Sequence, residues 1–291
     1  MAGSESRFWG LGLAVRGVFD RLRARPSQKK SRDMKTTRSA HDADDAFTLF
    51  EGTDLRIHDL SVERLEDLQF DPGLLPGAFR IRVARTRDTS DQAGGLVRKR
   101  YASRGYLVPG AKPDPNLFTF VAYNSGDLVG TVSLRLDSSR GLSADELYKA
   151  EVNTLRSGTT RICEFTRLAI DVNAGSKWVL AGLFHTAYLF AHRVSGRDAA
   201  VIEVNPRHVR YYEKILGFRV IGPKRTNRRV NAPAVLMALD FSHTEEQIGK
   251  FGGQPRLSAT ERSLYPFSFS VDEEAGIVGR LKGTDSAGYR H

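Results

Sequence analysis

Alternating apolar and polar positions predict an early strand and a hairpin in the chain. The run FRIRVA at 79–84 alternates apolar and basic residues, which is typical of a half-buried strand. The apolar stretches 117–123 and 128–136 flank Asn124-Ser125-Gly126-Asp127, and Gly126 can adopt the positive φ of a tight turn. This pattern predicts two paired strands. Helices are expected over 89–105, where Gly105 would be the C-cap, and over 143–156.

The segment 161–218 continues as strand, helix, strand and helix. It begins with the strand-like run RICEFTRLAID, in which Glu164 and Arg167 lie among apolar residues. A helical stretch over 177–197 and the apolar strand AAVIEVN at 199–205 follow. A helix ends near ILGF, and a short strand leads to Ile221. The basic stretch PKRTNRRVNAP is expected to be a loop before a last strand over 234–241.

The chain is expected to fall into three parts. Residues 1–45 form a basic amphipathic helix with a linker, 46–242 form the main domain, and 243–291 form an extension whose aromatic residues pack on that domain. The helical pattern at 7–23 fits a membrane-surface anchor or a helix packed on the protein or a partner, and disorder stays open. A signal peptide fits less well, because Arg16 interrupts the apolar run.

Composition and charge narrow the classes of function. The protein has 40% hydrophobic and 27% charged residues, which is ordinary for a globular domain. Of the net charge of +10, residues 1–40 carry +7, from ten basic and three acidic residues, so a globally basic nucleic-acid binder is poorly supported. The lone cysteine, Cys163, excludes an internal disulfide. No apolar run is long enough to span a membrane, so we expect a cytoplasmic protein, with peripheral attachment to the inner face of the membrane left open.

Several motifs resemble those of a known enzyme superfamily. The order of elements and the residues Glu203-Val204-Asn205-Pro206, Tyr212-Glu213-Lys214 and Leu216-Gly217-Phe218 resemble GNAT acyltransferases. More narrowly, LVRKRYASRGYL (96–107), CEFTRLAI (163–170) and the stretch 183–222 resemble the N-acyl amino acid synthases, which are related to acyl-homoserine-lactone synthases. The resemblance covers roughly residues 78–241 and implies a mixed α/β fold, in which helices flank a GNAT-like central sheet with a splayed central strand.

The resemblance also bears on the acyl donor. GNAT enzymes that use acetyl-CoA carry a glycine-rich loop after the central strand, which binds the pyrophosphate of CoA. Here Val172–Lys177 has one glycine, so acyl-acyl carrier protein fits better as the donor, with its acyl-phosphopantetheine as co-substrate and no tightly bound cofactor. A negatively charged carrier protein needs a basic docking face. Its candidate residues are Lys177, Lys224, Arg225, Arg228 and Arg229.

Acyl transfer to an amine requires a base, donors for the oxyanion and a group that orients the acceptor. Glu164 is the candidate base, because burial on an apolar strand raises a carboxyl pKa. Backbone N–H groups at Leu168, Ala169 and Ile170 are candidate oxyanion donors. Arg167 or Arg100 would bind the carboxylate of an amino acid acceptor through two parallel hydrogen bonds.

Strand geometry sets a condition on this site. Glu164 and Arg167 are three residues apart, so they face opposite sides of a regular strand. Both can serve one site only if a β-bulge shifts the register between them, as it does in the GNAT fold. Otherwise Glu164 would form a buried ion pair with a nearby arginine.

Other candidates have a structural alternative. Tyr101 and Tyr106 would line a substrate pocket or pack in the core. Tyr211 or Tyr212 would protonate the leaving thiolate or serve helix packing. Cys163 is expected to be a core residue on the opposite face from Glu164. His185 and His192 lack a third ligand, so no metal site is expected.

Four functions remain open at this point. The leading one is transfer of a long acyl chain from acyl carrier protein to the α-amine of a small-molecule amino acid. The alternatives are an acetyl-CoA-dependent N-acetyltransferase, an acyl-homoserine-lactone synthase and a non-catalytic module that binds a carrier protein or lipid. No site for S-adenosylmethionine is evident, which disfavours the lactone synthase.

Overall fold

A computed structural model describes residues 48–53, 78–102, 114–171, 177–227 and 232–286. The strands are β1 Thr48–Thr53, β2 Ala78–Val83, β3 Leu117–Asn124, β4 Asp127–Leu136, β5 Ile162–Ile170, β6 Ala199–Val204, β7 Arg219–Val220, β8 Arg225–Asn227 and β9 Ala232–Asp240. The α-helices are α1 Arg87–Ala102, α2 Asp145–Ser157, α3 Lys177–Tyr188, α4 Val209–Leu216, α5 Phe241–Phe251 and α6 Val271–Ser286. The predicted N-terminal helix at 7–23 lies outside the described residues.

The described strands form one mixed sheet in the order β1-β2-β3-β4-β5-β6-β9-β7, and β8 adds to β9. Neighbouring strands are antiparallel except β5 and β6, which run parallel. Parallel neighbours require a crossover connection, and α3 supplies it. The mixed α/β sheet expected from the sequence is therefore confirmed.

The β3–β4 hairpin forms as its turn residues predict. Asn124 pairs with Asp127, and the two residues between them, Ser125 and Gly126, have φ of 51° and 89°. Positive φ at both central positions is the type I′ geometry that matches the twist of the strands. The hairpin places β4 beside β5 and so builds one wall of the site.

Two layers of helices cover the sheet. One face carries α1, which packs on Ala169 and Leu128, and α2, which packs on the apolar residues of β5, β6 and β9. The other face carries the larger core. The helix α3 is buried there from Val179 to Tyr188, because its apolar residues surround the helix rather than forming one stripe.

The C-terminal extension packs into this larger core. Leu264, Tyr265 and Phe269 are buried there together with Ile277 and Leu281 of α6. The Tyr265 hydroxyl donates a hydrogen bond of 2.7 Å to the Leu216 carbonyl, which ties the extension to the end of α4. None of the helices in the described ranges is long and apolar enough to cross a membrane.

Two elements differ from the sequence prediction. The sequence predicts a loop over 223–233, yet Arg225–Asn227 forms β8 by pairing with β9. The long helix predicted over 177–197 changes at Leu189–Val194 to a π-helical turn, where the Ser195 N–H donates to the Phe190 carbonyl. Neither change has a local sequence signal, because tertiary pairing produces β8 and a register change in the hydrogen bonds produces the wider turn.

Candidate active site

The central feature of the site is a gap between the two parallel strands. Pairing of β5 with β6 extends only from Ile162–Ala199 to Glu164–Val201. Beyond that point β5 continues to Ile170 beside β4, and β6 continues to Val204 beside β9. The two strands therefore splay apart just after Glu164.

A β-bulge lies in β5 at the mouth of this gap. Between Thr166 and Ala169, β5 has one residue more than the facing segment of β4. Arg167 lies in this bulge with a φ of 52°, which is in the left-handed region that non-glycine residues rarely adopt. Strained backbone of this kind concentrates at functional sites.

The bulge brings Glu164 and Arg167 to the same face of the sheet. The other face of β5 receives Cys163, Phe165, Leu168 and Ile170, which belong to the larger core. The electrostatic neighbours of Arg167 include Tyr101 on α1 and Glu164, both on the face that carries α1 and α2. The β-bulge that Glu164 and Arg167 need in order to serve one site is therefore present.

Glu164 is a buried carboxylate that keeps a proton more readily than an ordinary glutamate. Its residue is 3% exposed, and Oε2 accepts a hydrogen bond of 2.7 Å from the Ser143 N–H. Burial raises the pKa of Glu164 to about 7, although the Ser143 hydrogen bond and the nearby Arg135 lower it. A carboxylate with this pKa can accept a proton near neutral pH.

A salt-bridge network holds the loop that supplies the Ser143 N–H. The Arg156 guanidinium donates to Asp137 at 2.7 Å and to Asp145 at 2.6 Å. Asp145 in turn accepts a 2.7 Å hydrogen bond from the Leu142 N–H. The loop before α2 is thereby fixed against Glu164.

Arg167 is a half-buried cation without a bound partner among the described residues. Its guanidinium makes no hydrogen bond or salt bridge to any residue in that part of the chain. Burial lowers its pKa, and Arg135 lowers it further, whereas Tyr101 and Glu164 favour the charged form. A partly desolvated arginine of this kind is suited to binding a planar anion in two parallel hydrogen bonds.

A stripe of polar residues on the same face was missed at the sequence level. Thr131, Ser133 and Arg135 alternate with buried apolar residues along β4, and Arg135 pairs in register with Glu164. The Ser133 and Thr119 hydroxyls are 2.8 Å apart. The alternation of polar and apolar residues in DLVGTVSLRL could have indicated this row of polar residues on one face of β4.

Glu203 and Asn227 are a second missed feature. Glu203 lies on β6 two residues beyond Val201, which pairs with Glu164, so it shares the face of Glu164. The Asn227 amide nitrogen donates a hydrogen bond to the Glu203 carboxylate. No signal in the sequence indicated this pair, because β8 itself was not predicted.

The tyrosines after β6 lie on α4, where Tyr212 belongs to the larger core and Tyr211 packs against it. Tyr212 is fully buried, and burial, followed by Tyr211 and Tyr101, raises its pKa. The rings of Tyr211 and Tyr212 are 5.4 Å apart. Within the described residues the Tyr212 hydroxyl and the Asn205 amide nitrogen are buried without a hydrogen-bond partner. Each of these groups therefore has a donor that no described residue uses.

The remaining substrate-site predictions concern α1 and the strand beyond the bulge. Tyr101 packs against Leu96 and Val97, and burial raises its pKa to about 12. Arg100 lies beside it in the last turn of α1, while Leu168, Ala169 and Ile170 are buried in β5 beyond the last pair with β6. Tyr106 lies outside the described residues.

The predicted docking residues have different surroundings. Lys224 is exposed, and the Lys177 ammonium lies 5.6 Å from the centre of the Phe267 ring. Arg225 binds both oxygens of Glu151 at 2.6 and 2.9 Å and lies 4.8 Å above the Tyr148 ring. Arg228 and Arg229 lie outside the described residues. Arg225 is thus engaged within the protein, which leaves Lys224 as the more accessible cation.

The surroundings of Cys163 and of the two histidines indicate that these residues stabilise the fold. Cys163 is fully buried on the face opposite Glu164, and burial raises the pKa of its thiol. His185 accepts from the Phe269 N–H at 2.9 Å and contacts Glu274 at 2.7 Å, so it joins α3 to the C-terminal extension. In the ranges that the structure describes, no group of three His, Cys, Asp or Glu side chains could hold a metal ion.

An apolar cavity lies behind the gap, on the face opposite Glu164. Phe165, which follows Glu164 in β5, forms part of its wall. The C-terminal extension closes the outer side through Ile248, Leu264 and Tyr265. The cavity is therefore separated from Glu164 by the thickness of β5.

Comparison with known proteins agrees with this architecture. The sequence profile of the family described as N-acyl amino acid synthase FeeM matches residues 92–240. The structure of FeeM, an N-acyl amino acid synthase from uncultured soil microbes, shares 28% identity with a TM-score of 0.53, covering 57% of this chain and 93% of that one. No curated protein sequence matches the chain significantly.

Two further structures are similar to the chain at lower TM-scores. A structure described as a putative N-acetyltransferase from Lactobacillus plantarum is 17% identical with a TM-score of 0.42, covering 56% of this chain and 97% of that one. The acyl-homoserine-lactone synthase LasI is 15% identical with a TM-score of 0.35, covering 56% and 90%.

The family profile spans half of the chain and includes the gap, the bulge and the turn after β6. The fold is that of GNAT acyltransferases, and the chain is an N-acyltransferase. The protein belongs to the FeeM family of N-acyl amino acid synthases.

Proposed function

We propose that the protein transfers a long acyl chain from acyl-acyl carrier protein to the α-amine of an amino acid. The observation that carries this proposal is the bulge at Arg167, which places a buried carboxylate and an unengaged arginine of the described chain on one face of the splayed strands. An amino acid presents the complementary pair of groups, an ammonium and a carboxylate, on one carbon.

Glu164 acts as the general base in this proposal. The acceptor enters as an ammonium and gives one proton to the Glu164 carboxylate, whose pKa of about 7 suits this exchange. The free amine then attacks the thioester carbonyl and forms the C–N bond of a tetrahedral oxyanion, which collapses as the C–S bond breaks. The tetrahedral oxyanion lies beside backbone N–H groups of β5 at Leu168–Ile170, beyond the last pair with β6.

The leaving thiolate takes the second proton of the amine nitrogen. The Tyr212 hydroxyl, which is buried and without a partner in the described residues, would donate to the sulfur and regain a proton from the tetrahedral nitrogen. The net products are the amide, the free thiol and the proton taken by Glu164. The Asn205 amide, also buried and without a partner there, would hold the phosphopantetheine arm by a hydrogen bond.

Arg167 orients the acceptor. Its planar guanidinium would bind the acceptor carboxylate in two parallel hydrogen bonds and leave the amine directed toward Glu164. Arg100 on α1 is the second candidate for this contact. Tyr101 interacts electrostatically with Arg167, packs on the cluster of Leu96 and Val97, and would form a wall of the acceptor pocket.

Two observations bear on the acyl chain and its carrier. The cavity behind Phe165 is lined by apolar side chains but has a volume of only about 20 Å³, so these side chains would have to move apart to accept the end of a hydrocarbon chain that passes through the gap. The segment 172–177 lacks the glycine pattern that binds the CoA pyrophosphate. Lys177 and Lys224, with Arg225, Arg228 and Arg229, are the cations proposed to contact the acidic carrier protein.

Product analysis with matched donors tests the proposal. The full chain is incubated with all twenty amino acids and either acyl-acyl carrier protein or acyl-CoA of the same chain length, and the lipids are analysed by mass spectrometry. We expect an N-acyl amino acid with the carrier protein that disappears in Glu164→Gln. The matched control is Glu213→Gln, which removes an exposed carboxylate on α4.

Each other outcome identifies the part of the proposal that fails. Equal product from acyl-CoA would refute the requirement for a carrier protein. Acetylation without longer products would indicate an N-acetyltransferase. Full activity in Glu164→Gln would refute the assignment of the base.

A further inference from the structure

We infer that Glu203 is the second carboxylate of the site and binds the ammonium of the acceptor together with Glu164. This inference rests on the proposed function, because it assigns a further substrate-binding residue to the same site. It starts from the position of Glu203 across the gap and from the hydrogen bond that holds its side chain.

Strand register places the two carboxylates close together. Glu164 pairs with Val201, and Glu203 lies two residues farther along β6 on the same face. With ordinary spacings the two Cα atoms would be roughly 8 Å apart before the strands diverge. Two glutamate side chains can therefore flank one small cation between them.

The Glu203 side chain is held in place rather than free to turn away. The Asn227 amide donates a hydrogen bond to one carboxylate oxygen, and Asn227 is itself 3% exposed. Its strand, β8, is fixed by pairing with β9. The small strand that the sequence did not predict thereby positions Glu203 at the gap.

Repulsion between the two glutamates favours a cation between them. Among the described residues, Arg135 from β4 acts on both Glu164 and Arg167, Tyr101 from α1 and Asp114 from the segment before β3 act on Arg167, and Tyr148 from α2 has its pKa raised in part by Glu203. Arg135 is already bound to Asp114 at 3.4 Å. Glu203 disfavours the ionised form of Glu164, and a bound ammonium would relieve this repulsion.

The arrangement matches a zwitterion. The two carboxylates form a negative subsite, and Arg167 forms a positive subsite on the same face. An α-amino acid carries both charges on one carbon, whereas a hydroxy acid or a simple alcohol lacks the cation. Glu203 thus selects for an amine that enters in its protonated form.

A cation-binding experiment tests the inference without depending on turnover. The full-length protein with ¹³C-labelled glutamate carboxyls is titrated with methylammonium at pH 8 in the wild type, Glu203→Gln and Glu213→Gln. The amide oxygen introduced by Glu203→Gln can still accept the hydrogen bond from Asn227, so the variant removes only the charge. We expect saturable shifts of the Glu164 carboxyl signal in the wild type and about tenfold weaker affinity in Glu203→Gln.

The Glu213→Gln control should bind methylammonium as the wild type does. Equal affinity in the wild type and Glu203→Gln, or no saturable shift in the wild type, would overturn the inference. If the wild type binds methylammonium but makes no N-acyl amino acid, the proposed function fails while the ammonium site stands.

A kinetic readout separates positioning from general damage. Where product forms, Glu203→Gln should raise KM for the amino acid about tenfold with a smaller change in kcat. Loss of the negative charge should also lower the Glu164 pKa, so the acidic limb of kcat/KM should move to lower pH. An unchanged KM together with an unchanged pH profile would also overturn the inference.

Discussion

Glu164 and Arg167 lie three residues apart in β5, yet both face the α1 and α2 side of the sheet. The extra residue of the bulge makes this possible, and the φ of 52° at Arg167 is its local signature. The same bulge keeps Leu168 and Ile170 in the opposite core. One inserted residue therefore allows β5 to pack its apolar residues in the core and to present two polar residues on its other face.

Replacement of Arg167 by glycine should separate stability from function. Glycine adopts a positive φ without steric cost, so Arg167→Gly should leave the free energy of unfolding unchanged or raise it by about 1 kcal/mol. It also removes the guanidinium, so KM for the amino acid should rise at least about tenfold. Urea unfolding and steady-state kinetics measure the two effects.

Arg167→Lys serves as the matched variant, since it keeps the charge and removes the planar fork. It should recover part of the acceptor affinity without reaching the wild-type value. Unchanged KM in both variants would contradict the assignment of Arg167 to the acceptor.

Glu164→Gln should stabilise the protein at alkaline pH. The folded-state pKa of about 7 lies above the ordinary value of 4.5, so the folded state binds the proton more tightly than the unfolded state. Ionisation of Glu164 therefore lowers the free energy of unfolding. This loss is absent below pH 4.5 and complete above pH 7. Removal of the carboxylate should therefore raise the free energy of unfolding at pH 8 by up to about 3 kcal/mol.

The increase in the free energy of unfolding caused by Glu164→Gln should become smaller toward pH 5, because the wild-type carboxyl is protonated in the folded state there. Thermal unfolding of both proteins at pH 5 and pH 8 measures the difference. A gain that is equal at both values, or a loss at pH 8, would contradict the raised pKa of Glu164.

Tyr265→Phe should weaken the attachment of the C-terminal extension. The variant loses the hydrogen bond to the Leu216 carbonyl and leaves a buried acceptor unsatisfied, which costs about 1–3 kcal/mol. Tyr123→Phe is the control, because the Tyr123 hydroxyl bonds Gln92 at an exposed position. Chemical denaturation should show a clearly lower free energy of unfolding for Tyr265→Phe and little change for Tyr123→Phe. Equal losses in the two variants would contradict a stabilising role for the buried hydrogen bond of Tyr265.

Leu264 should influence acyl chain length if the apolar cavity accepts the chain. Leu264→Phe fills the cavity and should lower kcat/KM for a C16 donor relative to a C8 donor, whereas Leu264→Ala should not. Competition between the two donors, followed by mass spectrometry, measures the ratio. An unchanged ratio in Leu264→Phe would show that the chain lies elsewhere.

Much of the scaffold follows from the sequence because its signals are local. The Ser125-Gly126 turn and the apolar run of β5 each predict the element that forms. The bulge was expected only by resemblance, since nothing in the letters around Arg167 requires a positive φ. Its cause is the packing of Leu168 and Ile170 against the core.

The second carboxylate of the site was not foreseen because it depends on tertiary pairing. Asn227 lies in a stretch with no apolar alternation, and its strand exists only through β9. Arg225 was expected to contact a carrier protein, yet its salt bridge with Glu151 shows that a basic run can serve the fold instead. Its docking role stays a prediction, as do the boundaries at 45 and 242.

The pH dependence of kcat/KM for the amino acid tests the central claim most directly. If Glu164 is the base, the wild-type kcat/KM should fall tenfold per pH unit below about pH 7, which gives the profile an acidic limb. Glu164→Gln should lower kcat/KM by about 10²–10⁴ and should abolish this acidic limb. A wild-type profile without an acidic limb near pH 7, or a Glu164→Gln enzyme that keeps that limb, would contradict the account.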